Sequence, residues 1–149
     1  MTAAADPVEA LGERLGHRFR DRALIGEALT HASWAYEHPP ASHNGRLAFL
    51  GDAVLALVVA ERLVAEGPGE PVGVLTPRRA ELVSGANLAR WAEQVGLPLL
   101  LRLGRGEEQS GGQGKESVLA TAFEAVLAVV YLEGGLDGAR RVVGSVALW

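Results

Sequence analysis

Two long runs of apolar residues, Leu47 to Glu66 and about Glu116 to Leu132, leave this 149-residue chain few ways to fold. Each is apolar nearly all round a 3.6-residue period, as expected for a central buried helix. Gly67-Pro68-Gly69 stops the first run, and Gly134-Gly135 separates the second from a last helix that carries Arg140, Arg141 and Val142 and ends near Trp149. Two such helices must pack on each other and be covered by lesser ones. No alternating apolar pattern is long enough for a sheet, so the predicted class is all-α.

The covering helices announce themselves by their ends. Asp6-Pro7 reads as a cap followed by a first-turn proline, and Gly16 can close that helix. A short amphipathic helix follows from about Asp21, burying Leu24, Ile25, Ala28 and Leu29. A loop containing His38-Pro39-Pro40 runs from about Glu37 to Gly45. Thr76-Pro77 looks like another cap and first-turn proline, with helix to Val95, a break near Ser84-Gly85, and Gly96 and Pro98 closing it. Residues 104–114 hold five glycines among polar and acidic residues and are expected to be a flexible loop.

At this length a chain can bury about 70% of its unfolded surface, and the reading is one domain spanning residues 1–149. The absence of cysteine excludes a disulfide scaffold, a zinc finger and a thiol enzyme. Met1 to Ala5 lacks the basic start of an export signal, and Leu47 to Ala60 is short for a bilayer and interrupted by Asp52. A cytoplasmic protein with no membrane partner is expected. The formal charge of −4 speaks against indiscriminate binding to nucleic acid. Of the 14 basic residues only Lys115 is lysine; arginine suits bidentate phosphate contacts, but a GC-rich genome produces the same bias.

Asp52 is the only charge between Leu47 and Ala60, and Glu124 the only charge between Ser117 and Leu132. A buried carboxylate needs a proton, an arginine, a hydrogen-bond network or a metal. Ala48 and Ala56 flank Asp52 one turn away on either side, and Ala120, Thr121 and Ala128 flank Glu124. Small side chains let helices approach, so both acids can point into one site suited to a hard divalent cation. The alternative is that each acid pairs with an arginine such as Arg46, Arg78 or Arg79. His17, His31, His38 and His43 form no zinc-binding pair and read as surface or capping residues. Gly112-Gln113-Gly114-Lys115-Glu116-Ser117 fails as a phosphate loop, with Gln109 where the first glycine belongs and Glu116 where a serine or threonine belongs.

The order of segments resembles the ribonuclease III family. Asn44-Gly45-Arg46-Leu47-Ala48-Phe49-Leu50-Gly51-Asp52-Ala53-Val54-Leu55 resembles its signature helix, and Leu29-Thr30-His31-Ala32-Ser33 the segment leading into it. Leu75-Thr76 with Arg79-Ala80-Glu81-Leu82-Val83, Leu103-Gly104-Arg105-Gly106-Glu107-Glu108, Phe123-Glu124-Ala125 and Tyr131-Leu132-Glu133-Gly134-Gly135 then fall in family order. The resemblance implies an all-α endonuclease domain, dimeric through the signature helix with Phe49 at the interface aromatic. It further implies cleavage of double-stranded or structured RNA with Mg2+ or Mn2+ held by Asp52 and Glu124, which would be the catalytic and metal-binding residues.

Three departures stand against the family pattern. Gly45, Ala48 and Thr121 occupy positions where the family carries acids; Ala48 and Thr121 lie one helical turn before Asp52 and Glu124, so at that site a four-acid cluster becomes a two-acid one. Compact members called Mini-III, which act on ribosomal RNA precursors, resemble this chain at Ala48 to Asp52 and at Thr121-Ala122-Phe123-Glu124. The resemblance therefore implies an endoribonuclease of ribosomal RNA maturation, or else a catalytically inactive RNA-binding or structural dimer. The sequence shows no counterpart of the double-stranded RNA-binding domain of standard bacterial members, so RNA binding is expected to rest on the groove, with Arg46, Arg105 and Lys115 as candidate contacts.

Overall fold

A computed structural model describes residues 6–147, and these form helices with one isolated bridge between Thr30 and Arg102. In chain order the α-helices are α1 (Pro7–Leu15), α2 (Arg22–Ala28), α3 (Ala32–Glu37), α4 (Gly45–Glu66), α5 (Val72–Leu82), α6 (Gly85–Gln94), α7 (Arg105–Gln109) and α8 (Glu116–Val146). Short 3-10 turns occupy Leu97–Leu99 and Gly112–Gly114. The all-α expectation holds.

The core is the crossing of α4 and α8, the most extensively packed pair, with α6 against the other side of α8. Val54, Leu55, Val58, Val59 and Leu63 of α4 meet Leu119, Phe123, Val126 and Leu127 of α8, and Trp91 of α6 packs edge-to-face on Phe123 with ring centroids 5.6 Å apart. By length and hydropathy α8 could cross a bilayer, yet Leu119 to Val130 is buried inside the domain apart from Thr121 and Glu124. It breaks at Gly135, whose φ of 67° and ψ of −167° only glycine adopts readily, and the remaining turns fold back over α1 and α4.

Caps follow the predicted chemistry at several ends. The Asp6 carboxylate accepts from the Val8 N–H at 2.9 Å, with Pro7 in the first turn and Gly16 left-handed at the end. Asp21 caps α2 through the Leu24 N–H at 3.0 Å, and Ser84 caps α6 through the Asn87 N–H at 3.2 Å. The loop between α1 and α2 is tied to α8 by Glu133. Its carboxylate accepts from the Asp21 N–H at 2.7 Å and the Arg20 N–H at 3.1 Å, and pairs with His17 at 2.8 Å. Burial opposes ionisation of Glu133, but the His17 contact and the backbone donors hold its carboxyl below the ordinary range.

Four expectations are corrected. Helix α5 starts at Val72, not at Thr76, and Pro77 lies inside it. The hydrogen bond that Pro77 cannot donate would go to Gly73, which is exposed, so water can satisfy that carbonyl. A short helix, α3, occupies Ala32–Glu37, with His31 as its cap. Residues 104–114 are not a flexible loop. Gly104 packs against Ser33 and Glu37, and Gly112 against Glu107, so closely that a side chain on either would clash, while Gly111 supplies a left-handed turn at φ 79°. Finally, α4 is buried on one side only: Phe49 is 83% exposed and Val64 62% exposed.

A candidate active site between the two central helices

The site begins at a glycine. A Cβ built on Gly51 would stand 1.7 Å from the Glu124 carbonyl oxygen, so the backbones of α4 and α8 touch there and no other residue fits. Asp52 follows Gly51 on α4, and Glu124 is the residue in contact on α8. Their carboxyls therefore meet across the crossing, and a hydrogen bond joins them. Glycine costs about 1 kcal/mol relative to alanine within a helix, which is the signal in the sequence that this position answers to packing. The small residues singled out by spacing, Ala48, Ala56, Ala120 and Ala128, line the helices, but Gly51 makes the closest approach.

The start of α4 is fixed by two of the few buried polar side chains. The Asn44 amide donates to the Ala28 carbonyl at 3.2 Å, its backbone N–H donates to the Thr30 carbonyl at 2.9 Å, and the Thr30 hydroxyl donates to the Gly26 carbonyl at 2.7 Å. Neither residue was distinguishable by spacing alone, because Asn and Thr are ordinary before a helix. Together they clamp the first turn of α4 onto α2 and so set the direction in which Asp52 projects.

Asp52 is exposed and Glu124 half-buried, so only Glu124 meets the expectation of a carboxylate held among apolar residues. The correction follows from α4 having an open side. Burial, the hydrogen bond that the protonated Glu124 carboxyl donates to Asp52 and the negative charge of Asp52 push the Glu124 carboxyl up to about 8. Among the described residues neither acid has an arginine partner: Arg46 is exposed at the start of α4, and Arg78 and Arg79 lie on the exposed side of α5. Two carboxyls pressed together with no cation beside them form a donor set for one hard divalent ion, which takes one or two carboxylates and fills its shell with water and phosphate. Among the described residues no group of three or more His, Asp or Glu side chains could hold a metal, in keeping with Gly45, Ala48 and Thr121 standing where acids would complete a larger cluster.

The other predicted positions separate. Gly45 is the first residue of α4, Ala48 is buried one turn before Asp52, and Thr121 is half-buried one turn before Glu124. Arg46 and Phe49 border an open groove of about 680 Å3 with Glu27, His43 and Leu50. Arg105 is exposed at the start of α7, its backbone N–H held by Glu37 at 2.8 Å. Lys115 is occupied within its own loop, 3.3 Å from Glu107 and 3.2 Å from the Ser110 hydroxyl. Two of the histidines cap, with His43 accepting from the Gly45 N–H at 3.1 Å and His31 from the Ser33 N–H at 3.1 Å, whereas His17 departs from the surface or capping expectation, its side chain buried in a pair with Glu133.

Comparison with known proteins places this arrangement. The chain is 47% identical over 145 residues to ribonuclease 3 of Heliobacterium modesticaldum, covering 96% of this chain and 62% of that protein. It is 48% identical over 131 residues to ribonuclease 3 of Symbiobacterium thermophilum, covering 88% and 55% respectively. The chain thus spans about three fifths of the length of such relatives. Among solved structures, the nuclease domain of ribonuclease III from Campylobacter jejuni, described for structural flexibility in a region involved in dimer formation, superposes with a TM-score of 0.87 at 35% identity, covering 93% of this chain and 94% of that one. The Ribonuclease-III-like family profile matches residues 21–148, a stretch that takes in Asp52, Glu124, the Gly51 crossing and the Asn44 clamp. By profile, relatives and fold together, the chain belongs to the ribonuclease-III-like family.

Proposed function

We propose that this protein is a dimeric endoribonuclease of the cytoplasm that cuts double-stranded or structured RNA with one Mg2+ or Mn2+ at Asp52 and Glu124, acting on ribosomal RNA precursors. The carrying observation is the paired carboxyls at the Gly51 crossing, with Glu124 holding a proton up to about pH 8. A bound divalent ion would supply Lewis-acid polarisation of a phosphodiester and an activated water for in-line attack. Asp52, exposed on α4, faces the solvent side from which a strand arrives. Asp52 and Glu124 would hold the cation, Glu124 as the deprotonated carboxylate from its half-buried position at the helix crossing. Thr121, one turn earlier on α8, offers a hydroxyl where a carboxylate would raise the charge of the site.

The dimer rests on the open side of α4. Phe49, Leu57 and Val64 are exposed on it, and Val72 and Val74 of α5 continue the apolar surface. A contiguous apolar face on a small domain marks an interface, and the Campylobacter jejuni nuclease domain is described by its dimer-forming region.

A second reading is favoured by one observation, the absence of a third acid near the pair among the described residues: a catalytically silent dimer that still binds RNA. Incubation of the purified protein with long double-stranded RNA and Mg2+, beside Asp52→Asn and Glu124→Gln, separates the two. Cleavage lost in either variant is expected of the enzyme. No cleavage at high protein concentration, with RNA still bound, would leave only the silent dimer.

A further inference from the structure

On the face formed by α2, α3 and the strand-like residue Arg102, a guanidinium is held in place without a hydrogen-bond or carboxylate partner among the described residues. The backbone of Arg102 is rigid: its N–H donates to the Leu29 carbonyl at 2.8 Å, and its carbonyl accepts from the His31 N–H at 3.0 Å. The guanidinium carbon lies 5.4 Å from the Trp34 ring centroid. The same ring stacks on His38 at 3.9 Å and 12°, and His38 is fastened by a 2.8 Å contact between its Nδ1 and the Trp34 carbonyl oxygen. The guanidinium also lies over Gly26, where an added Cβ would stand only 3.8 Å from it. It opens on a cavity of about 240 Å3 that Thr30, Ser42 and Glu27 help to line.

Such stacking covers a face of the guanidinium and leaves its edge N–H groups free, and that edge is the part that makes paired contacts with phosphate. The position has been ordered in advance, so a ligand does not have to freeze a long side chain. Ser42 lies two residues before the buried Asn44, and Asp52 follows Gly45 by two helical turns, or about 10 Å of axis. The cavity is therefore within a few nucleotides of the paired carboxyls. Glu27 on the rim disfavours a free anion drifting in, whereas a strand already anchored elsewhere brings its phosphate at high local concentration.

We propose that Arg102, stacked on Trp34 and resting over Gly26, is a docking point for one phosphodiester of an RNA strand that extends from the Asp52–Glu124 site. The inference rests on the reading of this chain as an RNA-binding protein. The test uses a fluorescein-labelled short RNA duplex, with Ca2+ in place of Mg2+, titrated with wild type, Arg102→Gln and Gly26→Glu at several salt concentrations. Gly26→Glu keeps the arginine but sets a carboxylate beside it, on a helix that loses a glycine. Both variants are expected to melt as wild type does and to bind about tenfold more weakly at low salt. The slope of log affinity against log salt should fall by about 0.9 for each Arg102 engaged. An unchanged slope and affinity in both variants would overturn the docking point while leaving the RNA reading intact. A wild type that binds no RNA overturns both. Loss of affinity with an unchanged salt slope would make the stack a structural brace and also overturn the proposal.

Discussion

Glu124 carries a cost that the metal-free protein must bear. Its carboxyl is raised from an ordinary value of 4.5 to about 8 by burial and by Asp52. A group whose pKa is higher folded than unfolded favours the folded state while protonated in both, and that advantage drains away as pH rises from about 4.5 to 8. In EDTA the wild-type melting temperature should therefore decline across that window through this group. Glu124→Gln should flatten the decline and melt higher than wild type at pH 8, while being inactive. Adding Mg2+ at pH 8 should raise the wild type alone. Equal pH slopes for the two proteins in EDTA would show that the carboxyl is not strained by its surroundings. That both acids could share one site is legible from their isolation in apolar runs, but the same runs leave an arginine pairing open, which only the fold excludes among the described residues. Their unequal exposure is not legible, because the pattern of one helix does not say which side a neighbouring helix leaves open.

At the scale of elements, the α4–α8 crossing is the device that makes two distant residues neighbours. Gly51→Ala would put a methyl group inside the contact radius of the Glu124 carbonyl. The helices must then part, and overpacking of this kind costs about 1–3 kcal/mol, which the better helix propensity of alanine offsets by about 1 kcal/mol. The expected outcome is a lower denaturation midpoint together with a larger loss of cleavage than the stability loss explains, measured on protein still fully folded. A variant as stable and active as wild type would mean that the crossing can widen freely. The two long helices, the break at Ser84-Gly85 and the cap at Asp6 are readable in the sequence because each has a local cause. The start of α5 was misplaced because a Thr-Pro pair imitates a cap, and an exposed helix tolerates an internal proline. Five glycines in residues 104–114 read as looseness, whereas Gly104 and Gly112 are there for close packing and only the fold reveals against what.

For the whole molecule, the question is what covers the open side of α4. If a second copy does, Phe49→Glu should shift the protein from dimer to monomer in analytical ultracentrifugation, with the folded monomer retaining its helical circular dichroism. A dimer that persists would place the interface elsewhere. Acidic composition alone did not decide the partner question: the net charge of −4 includes the paired acids that a cation would neutralise, while the arginines that could meet RNA are positioned by local structure, as Arg102 is by Trp34. The family was legible at once, since several motifs occur in order over nearly the full chain, but the consequences of Gly45, Ala48 and Thr121 are not contained in any motif.

Helix α5 has no buried residue and touches the core only through the half-buried Leu75 and Leu82. Its backbone amides therefore have little to lose by opening, and in a lone chain they should exchange with deuterated solvent far sooner than those of α8. Association over α4 and α5 would slow that exchange in proportion to occupancy. The helix with least part in holding the domain together would then serve as its most sensitive internal gauge of assembly, readable at concentrations where sedimentation is blind.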